Sequence, residues 1–517
     1  MRRAWFNTLL VLTWVCTAEL SLSQTTHFVT RSGCTLQLDG RPFYFIGANA
    51  YYLMEEASRQ DTSMVNALFE SARQLGMTVV RTWGFFDSPD SLNPSVIQSR
   101  PGVFNERALR ALDFVLAKAA QHGIHLILPL VNNWDDYGGM NQYVRWRMQE
   151  ASVGTSDRGA RFDRADLETQ IAGARGQRYI VALSGSFGHD DFYTDAAIRN
   201  WYKTYVAFLL QRVNTFSGIA YRDDPTILAW ELANEPRSSD RSGLVVSRWA
   251  DDLSAYVKQI DGNHLVGMGE EGFDNSTAGY TVPAYDNQIW LFDGTAGAAF
   301  SMNSALSDID FASIHLYPQS WGLTSSTGNR WISDHIRLAA AVGKPLVIGE
   351  FGVMTLQSAA YDSWLTTALL EGGGGAMVWQ LLEAGRSNTD GYGIRCPESG
   401  SVCNVLGNQG ARFNSKFTMG ELIPPPSFSL FQNYPNPFNN QTTISYDLPT
   451  DSHVNLSMFN SLGEIVVSSV GEFQHAGTRK ELVEAGSLSS GAYFYRLSVQ
   501  PIGGRPSSTT RTLVIIK

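Results

Sequence analysis

Short, nearly continuous apolar runs recur along the first four-fifths of the chain. They fall at Phe43–Ala48, Thr78–Trp83, His125–Val131, Ile227–Ala233, His264–Gly269, Phe311–Tyr317, Pro345–Gly349 and Ala376–Leu381. Runs of this kind fit strands buried on both faces. Between most of them, apolar residues return at the helical period, over Thr62–Leu75, Glu106–His122, Ile198–Phe216, Gly243–Ile260, Trp331–Ala341 and Ser358–Glu371. Strands alternating with helices predict an α/β fold with a parallel sheet covered by helices. Eight such units predict a closed (β/α)8 TIM barrel. An open doubly wound sheet usually carries a glycine-rich phosphate turn after its first strand. Here that strand ends in "GANAYYL", without GxGxxG.

Three segments interrupt or extend this rhythm. Ahead of the first run, "CTLQLDGRPFYF" reads as a hairpin turning at Asp39-Gly40. Long insertions follow the third and fifth runs, from Trp134 to about Asp191 and from Glu270 to about Asp310. In a barrel both fall on the face where loops shape the site. Beyond Pro424–Pro426, a stiff linker, the pattern changes to short alternating stretches such as "TTISYDL", "VNLSMFN" and "GAYFYRLSV". That period predicts a small all-β sandwich.

The N-terminus adds a targeting segment. Arg2 and Arg3 precede an apolar run from Leu9 to Val15, with Ser21 and Ser23 at cleavage positions. This is the layout of a secretory signal peptide. The run is too short to span a bilayer. Trp14-Val15 before Cys16 is a poor match to a lipoprotein processing site. The expected organisation is a signal peptide over 1–23, a barrel domain over 24–423 and a β-sandwich over 424–517.

Composition narrows the partners. The chain has 517 residues, 44% hydrophobic and 17% charged, which is globular rather than disordered. Its net charge of −10 argues against nucleic acid, because phosphate binding needs a basic surface. Aromatic residues make up 12%, with 13 Trp. Such rings serve as sugar platforms as well as core. Once Cys16 is removed, Cys34, Cys396 and Cys403 remain. The short loop "CPESGSVC" favours a Cys396–Cys403 bridge and leaves Cys34 as a buried free thiol. No His/Cys cluster has zinc spacing, so no metal or organic cofactor is expected.

Two runs carry the chemistry. "ILAWELANEPR" ends in Asn234-Glu235-Pro236, and "PLVIGEFG" ends at Glu350 and glycine. The C-terminal ends of barrel strands face the active site. Two glutamates there, one after the fourth strand and one after the seventh, suit glycosidic bond cleavage by a proton donor and a nucleophile. A single strand-end glutamate is as readily a structural ion-pair partner. Two after long apolar runs favour chemistry.

"AWELANEP" and "VIGEFG" resemble the glycoside hydrolase clan with catalytic glutamates on strands four and seven, and glycoside hydrolase family 5 in particular. "VVRTWGF", "LVNNWDDYGGMNQYVRW", "YRDDPTILAWELANEPR", "GEEGF", "IHLYPQSW" and "VWQ" resemble its endo-β-1,4-mannanase subfamily, in the same order. The resemblance implies a retaining enzyme without a cofactor, acting on β-mannan polysaccharides and manno-oligosaccharides. Glu235 would be the acid/base, with a raised pKa, and Glu350 the ionised nucleophile. Asn234 would bind the sugar 2-OH, and Arg81 would keep Glu350 charged. Tyr317 would donate to Glu350, His315 would line the floor near Glu235, and Trp379 would lie under the sugar at the cleavage point. Trp83, Glu271 and Trp321 match further substrate contacts, to which Asn133 and Trp134 add. For Trp134 and Trp321 loop anchoring stays open, as does a core role for His315. A β-1,4-glucanase on the same scaffold and a non-catalytic polysaccharide-binding barrel remain the rivals.

The tail has its own resemblance. "FQNYPNPFNNQTTISYDLP", "SLSSGAYFYRL" and "TRTLVIIK" look like the sorting domain of the type IX secretion pathway. That implies the outer-membrane secretion machinery as a partner, and a secreted or surface-attached product. A carbohydrate-binding module is the alternative small sandwich.

Overall fold

The computed structural model describes residues 27–155, 187–419 and 428–517, except 434, 451, 469–471, 475–476, 487 and 502–504. The signal peptide, the Pro424–Pro426 linker and residues 156–186 of the first insertion lie outside the described residues.

Eight parallel strands form the core: β1 (Phe45–Asn49), β2 (Val79–Arg81), β3 (His125–Pro129), β4 (Ile227–Glu231), β5 (Leu265–Gly267), β6 (Ala312–Leu316), β7 (Leu346–Phe351) and β8 (Gly375–Val378). They pair in sequence order, and β8 pairs with β1. Between β5 and β6 the ring closes through a parallel bridge from Gly267 to Phe311, with Asp310 N–H donating to Val266 O at 2.7 Å. Every residue of these eight strands is buried, which is why the runs are mostly apolar.

The interior is a packed core. Phe45, Val79, Ile127, Leu228, Leu265, Phe311, Val347 and Met377 cluster together, with Val29, Leu36 and Phe43 from the chain ahead of β1. That segment holds the expected hairpin. Asp39 and Gly40 both have positive φ, 55° and 73°, the conformation of a two-residue I′ turn. Gly375 is needed for space: a Cβ there would lie 2.3 Å from the Phe45 ring.

The helices follow local rules. Helix Glu106–His122 starts at Asn105, whose side chain accepts from Arg107 N–H at 3.0 Å. It ends at Gly123 in the left-handed region. Asp61 and Asp195 cap helices Thr62–Gln74 and Ala196–Gln211 in the same way. Two long helices went unread in the sequence, Gly139–Thr155 inside the first insertion and Gly400–Met419 after β8. The second is rich in Gly and Asn, so propensity argues against it. Burial of Val402, Leu406 and Phe413 against the barrel outweighs that.

Cys396 and Cys403 are joined by a disulfide. Cys34 is free but exposed, against the expectation of a buried thiol. It stands just ahead of strand Thr35–Leu38 on the rim hairpin, where only alternate residues such as Leu36 turn inward.

Residues 428–517 form two antiparallel sheets around one core. Ile444, Tyr446 and Leu448 of one sheet meet Leu456, Met458, Tyr495, Leu497 and Leu513 of the other. Strand Gln441–Leu448 alternates buried and half-buried residues, the period of a sandwich strand. The opening motif is part of this fold: Asn433 N–H donates to Tyr495 Oη at 3.0 Å, and its amide donates to Thr442 Oγ1 at 3.0 Å. Among the described residues no helix is long and apolar enough to cross a membrane.

Candidate active site

Arg81, at the end of β2, is fully buried, so its charge must be met by protein groups. Its Nε donates to Glu231 Oε2 at 2.7 Å, and its Nη2 donates to Asn234 Oδ1 at 2.7 Å. Nη1 donates to Glu350 Oε1 at 2.7 Å and to Asn49 Oδ1 at 3.1 Å. One guanidinium therefore ties β1, β2, β4 and β7 together at the mouth.

Glu350 sits inside β7, one residue before its end, where the ladders to β6 and β8 both shift register. Such irregularities re-aim side chains beside active sites. Its other oxygen, Oε2, accepts from Tyr317 Oη–H at 2.6 Å. Glu235 does not end β4 as expected. The strand ladder stops at Glu231, and Glu235 lies four residues on, with φ +52°. Single bonds keep this stretch against its neighbours: Asn234 N–H to Val131 O and Glu235 N–H to Gly269 O, each 2.7 Å. A left-handed glutamate is strained and persists only where its surroundings hold it. Gly269 permits this approach, since a Cβ there would meet Ala233 O at 2.0 Å.

Glu235 Oε2 accepts from Trp134 Nε1–H at 2.6 Å, and Oε1 is hydrogen-bonded to His315 Nδ1 at 2.7 Å. His315 is fully buried on β6 and also lies 3.5 Å from Glu350 Oε2. One oxygen of each glutamate and His315 Nδ1 all fall within 4.8 Å of one another. Among the described residues this is the one such grouping with the reach to chelate a cation. The Arg81 charge already on Glu350 opposes that.

Burial raises the pKa of both carboxyls and lowers that of His315, so the imidazole is neutral. Two carboxyls this close do not both ionise cheaply. Arg81 and Tyr317 donate directly to Glu350. Arg237 opposes the rise at Glu235 by its charge while donating to Glu271 through two bonds of 2.6 Å. Burial raises Glu271 as well, and those two bonds hold its charge against it. A cationic donor therefore meets Glu350 directly, whereas Glu235 meets the neutral donor Trp134. The Glu235 side chain is 12% exposed and that of Glu350 4%, so Glu235 has the better route to solvent.

The other expected residues divide into two groups. Trp379 is half-buried beside the mouth. Its Nε1 donates to Asp390 Oδ2 at 2.8 Å, and Tyr51 stacks on it at 5.4 Å, nearly parallel. Asn133 Oδ1 accepts from Arg237 N–H at 3.1 Å, and the Arg237 guanidinium lies over the Trp134 and Phe273 rings. Trp83 and Trp321 are less available. Trp83 is buried among Tyr51, Phe85 and Tyr137. Trp321 packs on Phe273 and Trp331, which favours loop anchoring. Sequence reading missed Glu231, Asn49, Arg237, Asp390 and Tyr51. Glu231 had a visible signal, as the lone polar residue inside the run "ILAWELA".

Glu270, beside Glu271 at the base of the second insertion, is a buried acid of another kind. The one described partner of its carboxyl is Asn303, whose amide donates at 2.8 Å. Burial pushes its pKa up to about 8, from 4.5. Between those values the folded protein keeps a proton that the unfolded chain has released. Its stabilising contribution is complete below 4.5 and is lost as pH rises towards 8, by at most about 1.4 kcal/mol per pH unit. Glu270→Gln keeps the bond to Asn303 and cannot ionise. Its melting temperature is expected to fall less than the wild type's between pH 5 and pH 8. Parallel curves for the two proteins would show that Glu270 does not carry this slope.

A closed barrel with two facing carboxyls at the C-terminal mouth, one bound to a buried arginine, defines a glycoside hydrolase centre. The chain belongs to the family described as GH family 5 beta-mannosidase-like, which matches residues 26–370. Mannan endo-1,4-beta-mannosidase 2 of Oryza sativa subsp. japonica is 39% identical over 408 residues, 74% of this chain and 84% of the relative. The endo-1,4-beta-mannanase from Rhizomucor miehei is 33% identical, with TM-score 0.62 over 75% of this chain and 100% of its own. The endo-beta-1,4-mannanase from Thermotoga petrophila is 29% identical, with TM-score 0.62 over 92% of this chain and 99% of its own. Residues 432–515 match the secretion system C-terminal sorting domain.

Proposed function

We propose that the protein is a retaining endo-β-1,4-mannanase that cleaves internal bonds of mannan, glucomannan and galactomannan. The observation that carries this reading is the Glu235–Glu350 pair, with one oxygen of each within 4.8 Å. Retaining pairs stand about 5–5.5 Å apart and inverting pairs about 6.5–9.5 Å, because inversion needs room for a water. The named activity of the relatives supplies the substrate class.

The chemistry follows from the partners. Glu350 attacks the anomeric carbon while Glu235 gives its proton to the departing glycosidic oxygen. An ester joins the sugar to Glu350. Glu235, now ionised, takes a proton from water, which displaces Glu350. Trp379, fixed by Asp390 and Tyr51, is the apolar floor for the sugar. Asn234 keeps one amide hydrogen for the 2-OH after bonding Asn132. Asn133, Trp134, Arg237 and Glu271 form the wall beyond Glu235. Purified enzyme should release oligosaccharides from mannan and not from carboxymethyl-cellulose, with β-configured ends at first by NMR. Release from the cellulose alone would favour the glucanase, α-configured first products would reject retention, and no release from either would leave a binding protein.

Residues 424–517 form a separate export domain in this reading, and the mature enzyme acts outside the cell or at its surface. Support comes from the sorting-domain match and from the independent core of the sandwich. Deleting residues from 425 onward is expected to leave hydrolysis of soluble mannan within about two-fold of the full chain. In a host with type IX secretion the same deletion should retain the enzyme in the cell. A folded truncated enzyme that no longer hydrolyses soluble mannan would give the tail a role beyond export.

A further inference from the structure

Glu231 is the third carboxyl of the centre, and neither hydrolytic role above uses it. It is fully buried, on the strand that leads to Glu235. Its Oε2 accepts from Arg81 Nε at 2.7 Å, and its Oε1 has no hydrogen-bond partner among the described residues. The Arg81 fork is thus divided, with Nε on Glu231 and the two Nη groups on Glu350 and Asn234. A guanidinium is planar, so fixing Nε also aims both Nη groups. Gly269 leaves Glu231 its space: a Cβ there would lie 3.1 Å from Oε2.

The charges make the same point. Without Glu231, Arg81 would place an undivided positive charge on Glu350. That would hold the carboxylate in its ionised form but make it a poorer nucleophile. With Glu231, the cation faces two anions, and the site around Glu235 keeps a net negative charge. Burial opposes the charge of Arg81, and Glu231, ahead of Glu350, is the largest ionic support for it.

We infer that Glu231 is a positioning residue for hydrolysis: it aims Arg81 at Glu350 and Asn234, and it offsets the arginine's charge so that Glu350 remains nucleophilic and Glu235 remains protonated. This rests on the retaining mechanism proposed above. Glu231→Gln keeps an acceptor for Arg81 Nε and deletes the charge. Removing a nearby negative charge lowers the proton affinity of both remaining carboxyls. A unit charge one guanidinium away, at an effective dielectric of about 20, moves a neighbouring pKa by about one unit or more.

The test is the pH profile of kcat/KM on an unactivated manno-oligosaccharide, whose leaving group needs the Glu235 proton, for the wild type, Glu231→Gln and Glu231→Asp. Both limbs of the Glu231→Gln profile should move to lower pH by about one unit, and the plateau should drop by roughly ten-fold. Glu231→Asp keeps the charge but shortens the reach. Its limbs should stay with the wild type while its plateau falls. Loss of amplitude in Glu231→Gln with unmoved limbs would overturn the inference, because a purely structural role predicts that. If Glu231→Gln does not fold, Glu231→Asp decides: displaced limbs, an undiminished plateau or a lower plateau accompanied by a lowered melting temperature overturn the inference, and wild-type limbs with a lower plateau at an unchanged melting temperature uphold it. Wild-type enzyme inactive on mannan would instead overturn the proposed function.

Discussion

Glu350→Ala is expected to reduce mannan hydrolysis by on the order of 10^5-fold or more, the scale of loss when a nucleophile is removed from a covalent mechanism. The substitution deletes the group proposed above to attack the anomeric carbon from the face opposite Glu235. It should not unfold the barrel, because Arg81 keeps Glu231, Asn49 and Asn234 as partners. The check is a steady-state rate on mannan beside a melting curve. Mass spectrometry of enzyme treated with a 2-fluoro manno-oligosaccharide should show a covalent adduct in the wild type and none in the variant. A folded Glu350→Ala enzyme with near wild-type hydrolysis would make Glu350 a structural anion for Arg81.

The second large effect belongs to Glu235→Ala. On mannan, loss of the proton donor should cost about 10^2–10^4-fold. An aryl glycoside with a good leaving group needs no proton, so its attack by Glu350 should survive. The ester would then accumulate, because no base activates water. Azide is a nucleophile that needs no base. It should restore turnover and give a β-glycosyl azide, since it enters from the face that water uses. With Glu350→Ala, azide would occupy the vacated face and give the α-azide. Product anomers the other way round would reverse the two roles. His315 and Trp134, which hold the two oxygens of Glu235, stay in place in this variant.

The positions of the eight strands were legible because each is buried on both faces and carries few polar residues along its length. The two glutamates were legible for the same reason, as ionisable groups where an apolar run stops. Yet the run after Ile227 misled in detail. It reads as one strand to Ala233, whereas the ladder ends at Glu231 and Glu235 sits beyond it in a left-handed turn. Backbone sign is not written in composition. Helix Gly400–Met419 was illegible because its residues disfavour helix and only packing on the barrel supports it.

By itself the sequence determined the alternation of strands and helices, the hairpin at Asp39-Gly40, the change to period two beyond Pro424–Pro426 and the pair of carboxyls that the barrel brings together. These depend on local pattern and on residue type, which a linear chain displays. Tertiary structure alone decided which groups meet the two carboxyls. Arg81 and Glu231 are 150 positions apart, and Arg81 and Glu350 are 269 apart. Tertiary structure also decided that Trp83 and Trp321 are buried while Trp379 is half-buried at the mouth, and that Cys34 faces outward. Proton affinity and exposure are set by neighbours at a few ångströms in a low-dielectric interior, and folding brings those neighbours from distant parts of the chain.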